Sequence, residues 1–234
     1  MQLFYSIDID NQQIVFRDEE LRHLTVLRKN IGDTIHSTDG KGNLYTCELI
    51  SLSKKEASAN IISKETKALG SNSNVHLFIS PTKQMDRIEW LFEKLVELGL
   101  YEISFIETQH SERNKINIQR LEKIALSAMK QSLRFYLPII HPIQKFNNCI
   151  SNNSKNTIKL IAHCEVDENK IDIKQLALEK DFKYEVFIGP EGDFSIEEIQ
   201  IAKANQAIPI SLGDYRLRTE TAGLIAAINL LSRI

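Results

Sequence analysis

The sequence predicts an α/β protein in two parts: a small, mainly β unit over residues 1–70 and a larger unit over residues 74–234 built on a mostly parallel sheet. Three observations carry this. Short β-type runs crowd the first 68 residues. From residue 75 strand-type and helix-type runs alternate to the end, which implies an open sheet covered by helices on both faces. Between them lies ALGSNSN (68–74), whose glycine, serines and asparagines suit a loop and mark the seam.

In the first part, LFYSI (3–7) and DTIHS (33–37) read as strands. DEELRHLTVLRK (18–29) reads as a helix with Leu21, Leu24 and Leu27 at helical spacing. Asp39-Gly40 begins a turn, after which NLYTCELISL (43–52) and ASANIISKE (57–65) are strands. A compact barrel or curled sheet with one inserted helix results.

In the second part VHLFI (75–79) is a strand. Gln84 to Leu98 is a helix with Ile88, Leu91, Phe92 and Leu95 on one face and Gly99 as its stop. ISFIE (103–107) precedes a long helix within residues 116–134, striped by Leu121, Ile124, Ala125 and Ala128. NNCISNNSKN (147–156) reads as a flexible surface loop, TIKLIAHC (157–164) as a strand and DIKQLALE (172–179) as a short helix. YEVFIG (184–189) is a buried parallel-type strand. Ser195 and Glu198 form a capping box for the next helix, IPISL (208–212) is a strand, and a helix through AGLIAAINLL (222–231) closes the chain.

The composition, 42% hydrophobic and 26% charged, is that of an ordinary folded domain and excludes wholesale disorder. No apolar run is long enough to span a membrane, and the start MQLFYSIDID has no secretory pattern, so a cytosolic location is expected. Cys47, Cys149 and Cys164 give neither a disulfide framework nor a metal knuckle, and the six histidines lack ligand spacing, so no metal is expected. With 29 basic and 31 acidic side chains, a nucleic-acid surface would have to be a local basic patch.

Ligands of parallel α/β sheets bind beyond the carboxyl ends of the strands. Two segments stand there, GPEGDFS (189–195) and LGDYRLRTETAG (212–223). Gly189 and Gly192 permit tight turns and close ligand approach, and Pro190 stiffens the turn between them. In the second segment Thr219 is a candidate N-cap and Glu220 suits a helix start, whereas Arg218 opposes the helix dipole. Arg218 either pairs with Glu220 or Asp214 or faces a substrate. No GxGxxG follows the first strand of this region, and there is no GxxxxGK[ST] or GxSxG, which argues against a dinucleotide dehydrogenase, a P-loop enzyme and an α/β hydrolase.

These segments resemble the bacterial family of 16S ribosomal RNA uracil-N3 methyltransferases, within the SPOUT superfamily. The family pattern GPEGG with F-S-x-x-E is met by Gly189, Pro190, Glu191, Gly192, Phe194, Ser195 and Glu198. The pattern LG then LRTETA is met by Leu212, Gly213, Leu217, Arg218, Thr219, Glu220, Thr221 and Ala222. Upstream, HLTVLRKNIGD (23–33), a helix carrying Lys83, Glu89, Lys94, Glu97, Leu98 and Gly99, SER (111–113), and Gln131, Ser132, Arg134 and Pro138 extend the likeness over nearly the whole chain. Asp193 stands where a second glycine is usual, Tyr215-Arg216 where Arg-Ile is usual, and Lys130 where glutamate is common.

The resemblance implies an N-terminal PUA-like β-barrel that helps hold RNA and a C-terminal domain threaded into a trefoil knot. It implies homodimers with S-adenosylmethionine held in the knot, methylating N3 of the uridine known as position 1498 in the 16S rRNA of the small subunit. By carry-over Gly189, Pro190, Glu191, Gly192, Leu212, Gly213, Leu217 and Thr221 hold the cofactor. Arg218 stabilises negative charge on uracil or an adjoining phosphate, and Glu220 orients Arg218 or accepts the proton. RNA contacts fall to His23, Arg28, Lys29, Arg113 and Arg134. Two other readings are a related knotted methyltransferase acting on another RNA, such as transfer RNA, and a non-catalytic RNA-binding assembly factor.

Overall fold

The computed structural model describes residues 1–10 and 12–234. They group into two units: Met1–Leu69 with Leu126–Leu137, and Gly70–Ala125 with Pro138–Ile234.

The first unit holds β1 (Leu3–Tyr5), β2 (Gln13–Phe16), α1 (Asp18–Val26), β3 (Thr34–Thr38), β4 (Asn43–Leu52) and β5 (Ala57–Thr66). Among the described residues these strands form one five-stranded sheet in the order β1-β3-β4-β5-β2. β1 runs parallel to β3, and the other neighbours are antiparallel. β2 escapes the sequence reading because four residues are too few to display an alternation, yet its Ile14 and Phe16 alternate into the core. Val15 N donates to Asp8 O at 3.0 Å and Ser6 Oγ to Val15 O at 2.6 Å, which curls the segment after β1 back onto β2. Of the expected helical stripe, Leu24 is fully buried and Leu21 and Leu27 pack partly against the same core of Phe4, Phe16 and Leu49.

The stretch Leu126–Leu137, which the sequence reading puts in the second part, is bound into this unit by backbone bonds. Gly42 N donates to Phe135 O at 2.7 Å and Leu137 N to Gly40 O at 2.9 Å. Gly42, at φ 91°, lies so close to Tyr136 that an added Cβ would stand 2.2 Å from the ring. The same stretch accounts for the unusual Lys130, which makes an ion pair with the buried carboxylate of Glu20. A glutamate at position 130 would face that carboxylate with like charge.

The second unit comprises β6 (Val75–Ile79), α2 (Met85–Leu98), β7 (Glu102–Glu107), α3 (Ile118–Gln131, whose last residues belong to the first unit), β8 (Ile139–Lys145), α4 (Phe146–Ile150), β9 (Thr157–Ala162), β10 (Ile171–Asp172), β11 (Lys183–Ile188), α5 (Ile196–Ala204), β12 (Ile208–Ser211) and α6 (Thr219–Leu231). Among the described residues its sheet has seven strands in the order β10-β12-β9-β11-β6-β7-β8, every neighbour parallel. On one face Phe78 and Phe187 stack at 4.5 Å, and Phe146 meets Phe187 edge-on at 5.9 Å. On the other, α6 lies against β6 and α2, and Gly223 is the contact point: a Cβ there would meet Ile79 at 3.0 Å and Leu91 at 3.2 Å.

Several elements depart from the sequence reading. β8 is an edge strand, where Pro142 is tolerated because no inner neighbour needs its missing N–H. The expected loop at 147–156 begins as helix α4, which Phe146, Cys149 and Ile150 anchor in the core. The expected helix at 172–179 shrinks to a single 3₁₀ turn over Ile173–Gln175. Its carbonyls are engaged elsewhere, since the Arg233 guanidinium donates to Ile173 O and Leu176 O. Gly99 does stop α2, at φ 91°. Ser195 and Glu198 do form the reciprocal capping box on α5.

Candidate active site

β9, β11 and β12 are adjacent in the sheet, with β9 between the other two, so the loops leaving their carboxyl ends converge. A cavity of about 530 Å³ opens between those loops. Its walls are Gly189, Pro190 and Glu191 after β11, Leu212, Gly213, Leu217 and Arg218 after β12, and Ala162 to Cys164 after β9. The structure thus brings together most of the carried-over residues. Gly192, Thr221 and Glu220 do not line the cavity.

The turn after β11 has little slack. A Cβ on Gly189 would stand 3.1 Å from the Phe194 ring and 3.2 Å from its backbone nitrogen. Glu191 Oε1 accepts from Lys83 N at 3.2 Å. Gly192 is closed by His110, whose Cβ lies 3.0 Å from where a side chain would start. Asp193 replaces a usual glycine at φ 64°, a region most side chains avoid and aspartate tolerates. Its carboxylate accepts from Cys164 N at 2.6 Å and from Phe194 N at 2.8 Å. The departure from glycine therefore ties the loop after β9 to the turn after β11.

Gly213, at φ 131°, gives the loop after β12 a bend that other residues rarely adopt. Arg218, not Thr219, is the N-cap of α6, and its side chain makes no capping bond. The guanidinium is exposed, borders the cavity and, among the described residues, forms no ion pair. The pairing of Arg218 with Glu220 or Asp214 that the sequence allows is absent. Glu220 is buried and has its carboxylate 3.9 Å from Arg87 Nε on α2. Sequence spacing could not show that partner, which is 133 residues away.

Sequence reasoning missed the third wall. His163 is buried, its ring nitrogens make no hydrogen bond among the described residues, Nε2 lies 3.6 Å from an Asp167 carboxylate oxygen, and burial pushes its pKa below the usual imidazole value, so the ring is neutral near pH 7. Lys170, whose ammonium donates to His163 O at 2.7 Å, and the exposed Cys164 complete this side. The signal was available, because TIKLIAHC is a predicted strand and its carboxyl end belongs with the other two.

The candidate RNA contacts divide between the units. In the first, Arg28 is exposed at φ 53° beside a partly buried Lys29, and His23 shares a hollow with Lys130 and Gln131. Arg134 is partly buried, and desolvation pulls its pKa down. In the second unit Arg113 donates to Lys83 O at 2.9 Å.

Residues 70–231 match a family model described as an RNA methyltransferase domain, and residues 16–62 match an RNA methyltransferase PUA domain. The ribosomal RNA small subunit methyltransferase E of Buchnera aphidicola is 33% identical, over 96% of this chain and 90% of its own length. The chain belongs to the ribosomal RNA small subunit methyltransferase E family. Two solved structures of similar proteins superpose over 99% of this chain and 98% of theirs. A probable rRNA-methyltransferase from Porphyromonas gingivalis does so at a TM-score of 0.91 and 37% identity. The methyltransferase E of Neisseria gonorrhoeae, solved bound to S-adenosyl methionine, does so at 0.85 and 29%. In this family member, then, an N-terminal PUA-like domain accompanies an α/β methyltransferase domain. Among the described residues, no helix is long and apolar enough to cross a membrane.

Proposed function

We propose that this chain methylates N3 of a uridine, the one known as position 1498, in the 16S rRNA of the small ribosomal subunit, with S-adenosylmethionine as donor. The observation that carries this is the three-walled cavity at the carboxyl ends of β9, β11 and β12, bordered by an unpaired arginine. Residues 1–70, joined by Leu126–Leu137, act as the RNA-holding barrel, and the rest of residues 74–234 as the catalytic domain.

The cavity fits the donor. It offers glycine backbone at Gly189 and Gly213, apolar Leu212, Leu217 and Ile188, and both signs of charge. A molecule with an adenosine, a carboxylate and an ammonium needs that mixture and no diphosphate-binding glycine motif. Gly189, Pro190, Glu191, Leu212, Gly213 and Leu217 line the pocket that holds it, while Gly192 and Thr221 shape the loops from outside. When bound, S-adenosylmethionine supplies a methyl group activated by a sulfonium.

Uracil N3 carries a proton in the neutral base. Methylation requires that proton to pass to solvent water, and the resulting negative charge spreads onto the ring oxygens. Arg218 meets that charge, because its guanidinium is exposed, borders the cavity and, among the described residues, is not neutralised by a carboxylate. Glu220 acts as a positioning residue through Arg87 and fixes the start of α6 beneath Arg218. His23, Arg28, Lys29 and Arg134 in the first unit, and Arg113 in the second, contact RNA backbone.

The chain from β11 through α5 to β12 crosses to the far side of β9, and α6 then returns to β6, a path that supports threading into a trefoil knot. Trp90 on α2 and Ile228 on α6, 47% and 42% exposed, support pairing into a homodimer.

A strain lacking this gene is expected to lose one 3-methyluridine from 16S rRNA; retention of that nucleoside with loss of another would move the assignment to a different RNA. The cavity itself is testable through Cys164. Burial pushes Cys47 up to about 12 and Cys149 up to about 11, whereas Cys164 is exposed at the cavity wall. Partial burial and the Asp193 carboxylate raise the Cys164 thiol as well, so it is expected to react in alkaline solution, as the one thiol per native chain that reagents reach ahead of the two buried ones. S-adenosylmethionine at a hundredfold excess over its Kd should slow that reaction about 100-fold. Equal rates with and without the cofactor would place it elsewhere.

A further inference from the structure

At the opposite end of the sheet from the cavity, the face that carries Phe78 and Phe187 changes character. Its apolar rows give way to a row of ionisable side chains in register on neighbouring strands: Lys159 on β9, Glu185 on β11, His76 on β6 and Glu102 on β7. His141 on β8 joins the row beside Ser104. Such a row inside a parallel sheet is costly unless its charges are compensated.

The compensation is incomplete. The Lys159 ammonium is directed to Ile150 O at 2.6 Å and Asn153 Oδ1 at 2.8 Å, and not to Glu185. Glu185 is 8% exposed, and its Oε2 has no hydrogen-bond partner among the described residues. Next to it, two imidazoles converge on one carboxylate. Glu102 Oε1 is 2.8 Å from His141 Nε2 and 3.7 Å from His76 Nδ1. The other nitrogen of His76 is engaged by Ser104 Oγ at 2.8 Å. That contact orients the ring and leaves Nδ1 turned toward Glu102 at a separation too long for a hydrogen bond.

We propose that His76, Glu102 and His141 form a binding site for a divalent transition-metal ion of the zinc type. The three candidate ligand atoms lie within 4.8 Å of one another. A tetrahedral ion with bonds of about 2.0–2.2 Å sets its ligand atoms about 3.4 Å apart, a value between the 2.8 and 3.7 Å separations already present. The remaining separation, between the two imidazole nitrogens, is at most 4.8 Å, and side-chain rotation closes it onto one ion. Two imidazoles and a carboxylate are the donor set that zinc accepts with a fourth position left to water, and Ser104 supplies the outer hydrogen bond that metal-bound histidines commonly make. The side chains are 14%, 18% and 34% exposed for His76, Glu102 and His141, enough for an ion to enter. A cation here would also add to the field that Lys159 and Lys183 exert on the buried Glu185. Because the ligands come from β6, β7 and β8, far from the loops after β9, β11 and β12, the ion clips three strands together and has no part in methyl transfer.

The test is zinc alone titrated into chelator-stripped protein, in a C164S background that removes the exposed thiol as a competing ligand. Competition against a chromophoric chelator gives the affinity, and thermal unfolding gives the stabilisation. The expected result is one site per chain and a rise in Tm on adding zinc, with E102Q and H141A binding about 100-fold more weakly and showing no rise. E102Q keeps the shape of the side chain, and far-ultraviolet circular dichroism checks that both variants are folded. Cobalt gives a second reading: an intense visible band of four-coordinate geometry in the parent, absent in both variants. No uptake by the parent protein, or equal uptake by parent and variants, overturns the proposal.

Discussion

Replacing Arg218 with alanine is expected to lower kcat for RNA methylation about 100-fold or more, the loss seen when one charge-stabilising donor is removed from an active site. The affinity for S-adenosylmethionine should stay within a few-fold, because Arg218 is an exposed residue at the border of the cavity and the loops after β9, β11 and β12 supply the other lining residues. Stability supplies an independent sign. A cation at a helix N-terminus opposes the helix dipole by roughly 0.3–1 kcal/mol, and Arg218 is the N-cap of α6 with no capping bond to lose. The Tm of R218A should therefore hold or rise slightly while turnover collapses. R218K retains the charge without the planar fork and should recover only part of the rate. Steady-state kinetics with isolated small subunits, beside calorimetric titration of the cofactor, measures both. A variant that loses cofactor binding in step with kcat would make Arg218 part of the donor pocket instead.

The largest structural effect is expected at Phe187. It is fully buried, stacks on Phe78 and meets Phe146 edge-on, and belongs to the strand that leads directly into the turn at Gly189. Phe187→Ala removes a ring from a close-packed site and should destabilise by about 3–5 kcal/mol. For a chain of this length that is a drop in Tm of roughly 10 °C. Because the turn after β11 is positioned by Phe194, a neighbour in the same core, cofactor affinity should fall as well. Thermal unfolding with and without S-adenosylmethionine separates the two effects. A Tm loss under about 2 °C would mean that the core closes around the missing ring.

What the sequence could show follows from how local each feature is. The capping box at Ser195 and Glu198, the stop at Gly99 and the two strand-end segments are each set by a few consecutive residues, and the structure reproduces them. β8 and α4 were not visible, because Pro142 and the asparagines speak for a loop until a neighbouring strand and a core are present to override them. The third wall of the cavity was half visible, as the end of a predicted strand. Arg87 beside Glu220, and the grouping of His76, Glu102 and His141, join residues far apart in the chain, and only the fold brings them together. Gly42 shows the same limit from another side. Its glycine signals a turn, but the reason no side chain fits is Tyr136, 94 positions later.

The central claim is a single chemical outcome, so the most direct measurement is transfer of labelled methyl from S-adenosylmethionine by the purified chain to small subunits from a strain lacking the gene, followed by nucleoside analysis of the 16S rRNA. One methyl group per subunit, recovered as 3-methyluridine and abolished by R218A, is the predicted result. Label on another nucleoside, or no transfer from a chain that binds both cofactor and subunit, would contradict it.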